Sequence, residues 1–309
     1  MPSSGRAGDH ALRARVAIFG AAILFSTGGA AIKATSLTGW QVACFRSAIA
    51  AAAVLIMLKS ARRGWGPQPW IVGAAYAATM ILFVLANKLT TAANTIFLQA
   101  TAPIYLVVIG PVLLKEPVRR RDFAYMAVLA GGLALFFFGS EVGTRVAPDP
   151  AKGNLLAALS GLCWALAVSG LRLMGRRGGH AAGSAAAVVA GNVLACLFCL
   201  PWAFPVAAAH AQDLALVAFL GVFQIGLAYV LLTYGLEHVR ALDASLLLLA
   251  EPVLNPLWAW LVHRERPSGW SLLAGAVIVT ATVASSIYDT RRSLRGGTRP
   301  DPIPVEPSH

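Results

Sequence analysis

Ten apolar stretches, each close to the length of a membrane crossing, dominate the pattern of hydrophobic and polar positions along the chain. A hydrocarbon core of about 30 Å needs about 20 apolar residues in a helix. Segments 15–34, 40–58, 69–87, 94–114, 123–140, 153–174, 183–204, 213–234, 242–262 and 269–288 answer to that length. The pattern predicts an all-α integral membrane protein of ten transmembrane helices. The first segment is interrupted at its centre by Ser26, Thr27, Gly28 and Gly29. The longest clearly polar connection, 141–152, leaves five segments on either side. The expected organisation is therefore an N-terminal tail (1–14), a five-helix unit (15–140), a linker (141–152), a second five-helix unit (153–288) and a disordered tail (289–309) rich in Pro, Gly, Ser and charge.

Composition agrees. Hydrophobic residues make up 58% and charged residues 12% of the 309, about half the charge of an ordinary soluble domain. The net charge of +12 would suggest nucleic acid in a soluble protein, but here the charges lie between apolar runs and at the ends, with no aromatic interleaving. They read as orientation signals instead. With ten spans and a cytoplasmic N-terminus, eighteen Lys and Arg face the cytoplasm and six the opposite side, while Arg46 lies within a span. That bias follows the positive-inside rule and places both termini in the cytoplasm. Cys44, Cys163, Cys196 and Cys199 all lie in apolar runs, where thiols act as small packing groups rather than as a disulfide framework.

The fourth and ninth segments share their punctuation. A shift of 149 residues superposes Asn94 on Asp243, Leu98 on Leu247, Pro103 on Pro252, Lys115 on Arg264 and Glu116 on Glu265. Five helices per unit is an odd number, so the second unit enters the membrane from the opposite side and the repeat is inverted. Two similar halves of opposite orientation can exchange conformations at nearly equal energy, which is the design of secondary transporters. Pro103, Pro111, Pro252 and Pro256 fall in corresponding helices. Each removes a backbone donor, and a freed carbonyl is tolerated at membrane depth only where it is buried or wet. Pro103 and Pro252 are therefore expected as helix breaks beside a central site, with packing kinks as the alternative.

Ionisable residues at that depth cost at least about 2.5 kcal/mol unless paired or hydrated. Glu251 is either a protonatable coupling group or a structural carboxylate that caps broken backbone or pairs with Arg46. Arg46 either reaches a carboxylate, on a substrate or on the protein, or snorkels to the headgroups, and structural pairing is the reading preferred, because buried arginines need partners. Lys33, near the outer end of the first segment, is placed to snorkel. Gln99, Gln224 and Asn255 are the deepest uncharged polar residues and are expected in a cavity, with Tyr105, Trp164 and Tyr229 as aromatic walls. Trp40, Trp70, Trp202 and Trp270 sit at segment ends, as an interfacial belt would. No H-E-x-x-H, G-x-S-x-G or phosphate loop is present, so enzymatic function, direct ATP drive, a metal site and a cofactor are not expected. An integral-membrane enzyme and a lipid flippase stand as alternatives to a solute carrier.

Trp164 within Leu-Cys-Trp-Ala, Arg46 followed by Ser47-Ala48-Ile49-Ala50, the stretch from Pro103 to Lys115-Glu116, and the stretch from Glu251-Pro252 to Arg264-Glu265 together resemble the EamA-type family of the drug/metabolite transporter (DMT) superfamily, over about residues 15–288. The opening helix departs from the family's frequent Trp-Gly, reading Phe25-Ser26-Thr27-Gly28-Gly29. The resemblance implies ten helices, cytoplasmic termini, a plasma (inner) membrane location and a substrate cavity between the halves. It also implies export of amino acids, other metabolites or toxic compounds. The expected partners are a small-molecule substrate, the lipid bilayer, protons as coupling ion and a second copy of the chain. Nucleic acid is not among them.

Overall fold

In the computed structural model, residues 3–114, 120–138, 145–176, 181–206, 209–238, 247–248 and 250–295 are described. Lys115, Glu116, Ala241, Asp243 and residues 296–309 of the expected tail lie outside them. The elements are α1 (Ser3–Ser26), α2 (Gly28–Ala34), α3 (Gly39–Met57), α4 (Pro67–Leu89), α5 (Ala92–Gln99), α6 (Ala102–Ile109), α7 (Arg120–Phe138), α8 (Pro150–Arg176), α9 (Ala181–Ala203), α10 (Ala211–Phe219), α11 (Ala228–His238), α12 (Ala250–His263) and α13 (Gly269–Arg295). A short 3-10 turn (Lys59–Arg62) and two π-helical stretches (Gly110–Leu114 and Leu220–Leu227) complete the set. There is no strand among the described residues.

Local chemistry sets the boundaries. Thr38 starts α3 with a capping box: its Oγ1 accepts from the Gln41 amide at 3.2 Å, and Gln41 Oε1 accepts from the Thr38 amide at 3.0 Å. Pro67 opens α4, where its missing donor costs nothing. Thr91 caps α5 by accepting from the Asn94 amide at 3.1 Å.

Among the described residues, six stretches are long and apolar enough to cross a membrane: Leu12–Ala34, Gly39–Met57, Pro67–Leu89, Pro150–Leu171, Gly183–Ala203 and Ala211–Leu236. Phe123–Leu135 and Gly269–Ala284 are shorter apolar helices. The expected 94–114 helix is divided into α5, α6 and a π turn, and within 242–262 the long described helix is α12. Pro103 and Pro252 sit in the first turns of α6 and α12 rather than in their interiors. A first-turn proline has no intrahelical bond to lose, so at α6 the backbone breaks before Pro103 and not at it. α13 runs to Arg295, beyond the expected end at 288.

The helices associate reciprocally. α4, third in the first half, packs on α8 and α9, the first two of the second half; the α10–α11 helix, third in the second half, packs on α1 and α3. Likewise α5 and α6 pack on α8, while α12 packs on α1 and α2. Exchange of corresponding elements by a pseudo-two-fold produces such a pattern.

Large apolar side chains such as Ile71, Leu197, Phe198 and Val262 point outward, and the buried set is rich in Ala with Gly, Asn and Thr. Small residues let helices approach without a hydrophobic drive between them. At the α4–α9 crossing, a Cβ on Gly191 would lie 2.5 Å from the Tyr76 ring and 2.8 Å from the Gly73 carbonyl oxygen. Gly191→Ala is therefore expected to lower the thermal midpoint of the detergent-purified protein, at a cost of about 1–3 kcal/mol. Gly131→Ala, at a helical position facing open space, is expected to leave the midpoint unchanged or raise it. A thermal-unfolding series on the two variants checks the pair.

Candidate functional site

The first helix breaks where its sequence pattern is interrupted. Ser26 and Thr27 turn their hydroxyls back onto the Ile23 and Leu24 carbonyls, each at 2.7 Å, in competition with the helix ladder. Two glycines follow, and amides from elsewhere occupy the space that a side chain would fill. A Cβ on Gly28 would lie 2.9 Å from Gln224 Nε2; one on Gly29 would lie 2.6 Å from Asn255 Oδ1 and 3.2 Å from Asn87 Oδ1. Gln224 comes from the π-helical stretch, a geometry common at functional sites, and donates to the Phe25 carbonyl at 3.4 Å. Trp258 of α12 donates to Ser26 Oγ at 2.9 Å. Among the described residues, Gln224 Oε1, Asn87 Oδ1 and both polar atoms of Asn255 are buried without a partner. An unmet buried polar group costs about 1–3 kcal/mol, and this cluster draws such groups from both halves.

Beside it lies an aromatic cluster. Tyr76 is fully buried on α4, with the rings of Tyr229 at 6.2 Å and Trp164 at 6.5 Å. Phe25, next to the helix break, stands edge-on to Tyr229 at 5.5 Å and joins the two groups. Arg46 is an electrostatic neighbour of Tyr76, and Glu251 of Tyr229. Neither charge has an ion-pair partner among the described residues, so the expected pairing of Arg46 with a carboxylate does not occur there. Arg46 is 1% exposed and does not snorkel. Glu251 stands in the first turn of α12, where the helix dipole favours a carboxylate.

Gln99 and Tyr105 go elsewhere. At the α5–α6 break Gln99 donates to Ser160 Oγ at 2.8 Å, and Ser160 donates to the Thr79 carbonyl at 3.2 Å. Tyr105 donates to the Ala158 carbonyl at 3.2 Å. Both bind the face of α8, apart from the amides at Gly28–Gly29. Of the expected cavity residues, Gln224, Asn255, Trp164, Tyr229 and Glu251 come together around Phe25 and Tyr76. Tyr76 and Asn87 were not singled out from sequence. Their signal is the spacing Tyr76, Met80, Phe83, Asn87, which marks one helical face in an Ala-rich segment.

One end of the bundle is closed by bonds within the first half and between the halves. Lys33 reaches inward to the Thr90 and Val146 carbonyls at 2.7 and 2.6 Å, and lies 4.0 Å from Glu265. This corrects the expectation that it snorkels: local acceptors replace its hydration, so its side chain is only 4% exposed. Glu265 Oε1 also accepts from the Ala92 amide at 2.7 Å. Asp213 accepts from the Ser36 amide and hydroxyl at 2.6 and 2.7 Å. Lys88 donates to the Thr35 carbonyl at 2.8 Å. Among the belt residues, Trp70, Trp202 and Trp270 are exposed, while Trp40 stacks on Trp202 at 5.2 Å. The four cysteines are unbridged, with Cys44 and Cys196 sulfurs 3.5 Å apart.

A helical membrane bundle with reciprocal halves and unmet polar groups at a broken helix is built as a membrane transporter of small solutes. The chain belongs to the EamA-like transporter family, part of the DMT superfamily, whose profile matches residues 12–138 and 151–287. It is similar to a solved crystal structure at 22% identity with a TM-score of 0.60, covering 90% of this chain and 98% of the other, which shows the shared fold. No curated protein matches the chain.

Truncating one member of a buried ion pair leaves the other charge stranded, at about 3–5 kcal/mol. Lys33→Met and Glu265→Gln are each expected to destabilise the protein, and the double variant by less than the sum of the two. A double-mutant cycle on thermal midpoints reads this coupling.

Proposed function

We propose that the protein is a secondary active transporter that exports a small organic solute across the plasma membrane by alternating access. Ten membrane passages form two inverted five-helix repeats, with both termini in the cytoplasm. The observation that carries this reading is the meeting of unpartnered amides from both halves at the broken first helix. Gln224, Asn255, Glu251, Tyr229 and Trp164 contact the solute in this reading, and Gln99 and Tyr105 hold the α5–α6 break against α8. The break before Pro103 gives the first half a hinge, and Pro252 is its counterpart in the repeat. The charge bias of the loops puts the Lys33–Glu265 and Ser36–Asp213 bonds at the outer end, so this conformation is sealed from outside. Glu251, beside Tyr229 and without a described ion-pair partner, carries the coupling proton.

Reconstitution tests the proposal. Proteoliposomes are expected to show counterflow for at least one member of a panel of amino acids, nucleosides, organic acids and organic cations. An imposed proton gradient should accelerate net flux several-fold, and Glu251→Gln should lose that acceleration while retaining counterflow. No flux across the panel would refute the transporter reading. Equal acceleration in wild type and Glu251→Gln would refute the role of Glu251.

A lipid flippase is the second reading, and one observation favours it. An apolar groove of about 1110 Å³ runs between α3, α4, α8 and α9, lined by Trp40, Leu85, Leu156 and Phe198 among others, with Lys88 and Lys152 also on its lining. Scrambling of a fluorescent phospholipid by the same proteoliposomes, with no solute counterflow, would favour that reading.

A further inference from the structure

Arg46 is a buried charge with little compensation. Its guanidinium carries five N–H donors and accepts nothing. Among the described residues only Nη2 finds partners, the Met80 carbonyl and Met80 Sδ, each at 3.5 Å. Nε is buried and has none. Moving such an ion out of water costs several kcal/mol, and two marginal contacts cannot offset it. Two more polar atoms nearby are unmet: Ser47 Oγ on the next residue and Asn192 Oδ1 on α9. Asn192 is an electrostatic neighbour of Tyr76, as Tyr76 is of Arg46. Trp164 and Tyr229 flank Tyr76 on its other sides.

A planar fork of donors is complementary to the two oxygens of a carboxylate, which it grips bidentately. One guanidinium neutralises one negative charge; a phosphate dianion would leave a second charge uncompensated in the same apolar surroundings. We propose that Arg46 is the recognition group for a carboxylate on the transported solute, whose organic part rests against Tyr76 and Trp164. The proposal rests on the transporter reading above and names its substrate class. A guanidinium without a protein carboxylate is held ready for one that arrives from outside, and its burial fits the sealed conformation. Arg46 thereby selects monoanionic carboxylates over neutral isosteres of the same shape.

The test uses the full chain in detergent and three isosteric pairs: propionate and propionamide, benzoate and benzamide, indole-3-acetate and indole-3-acetamide. In the wild type at least one carboxylate is expected to raise the thermal midpoint by about 2–4 °C more than its amide, the shift that saturating ligand produces. That margin should vanish in Arg46→Met and shrink in Arg46→Lys, which keeps the charge but loses the fork. Without ligand, Arg46→Met should unfold no earlier than wild type, because it removes an uncompensated charge. No carboxylate margin in the wild type, a margin that survives Arg46→Met, or an unliganded Arg46→Met that unfolds well below wild type would each overturn the proposal. Proteoliposome flux without preference for carboxylates would overturn it too, while leaving the transporter reading intact.

Discussion

In hydrocarbon a backbone amide or carbonyl has no water to turn to, so each must find its partner within the segment that carries it. This constraint makes the described chain helical and turns each departure from an α-helix into a local problem to be solved by neighbours. At Thr27 the ladder is loosened by two hydroxyls that donate to its carbonyls, and side chains from α4, the Leu220–Leu227 stretch and α12 close over the glycines. At Ala100–Thr101 the break is covered by α8, whose Gly161 admits the Leu98 and Gln99 backbone to within 3.2 Å of where its Cβ would stand. At these two breaks the irregular backbone lies in the interior, with Ser26 and Thr101 fully buried.

The same constraint divides the polar side chains into two populations. Some are fully used: Gln41, Ser160, Asp213 and Lys33 bind backbone carbonyls, amides or caps and so join helices that have no hydrophobic reason to stay together. Others, the amides over Gly28–Gly29 and the guanidinium of Arg46, are buried with donors or acceptors unspent. Structural glue would be selected to saturate its bonds. A group that must release one partner and accept another cannot be saturated in each state.

Much of the fold could be read in the sequence, because spanning length and loop charge are one-dimensional properties fixed by the bilayer. The long apolar spans α3, α4, α8 and α9 begin within a few residues of the positions that hydropathy predicts, and the break in the first segment stands where Ser26–Gly29 interrupt the pattern. The site was less visible. Gln224 and Asn255 were found because an amide in an apolar run stands out. Tyr76 was overlooked because one tyrosine in a run of alanines does not, and its importance comes from two helices, α8 and α11, that turn Trp164 and Tyr229 toward it. Gln99 and Tyr105 looked equivalent to Gln224 by depth, yet the rotation of α5 and α6 directs them onto α8.

By itself the sequence determined that the chain is a helical membrane protein with two related halves, where its longest apolar stretches lie, and where Ser26–Gly29 interrupt the first of them, since each follows from side-chain transfer energy and backbone chemistry at single positions. Only the tertiary structure decided which polar groups share a space: that Lys33 turns inward to Thr90 and Glu265, that Arg46 faces Tyr76 and Met80 without meeting Glu251, and that Asn87 and Asn255 converge on Gly29. Those outcomes depend on how each helix is rotated and how closely it approaches its neighbours. That is set collectively by small residues such as Gly73 and Gly191 on helices far apart in sequence, so no local pattern could contain it.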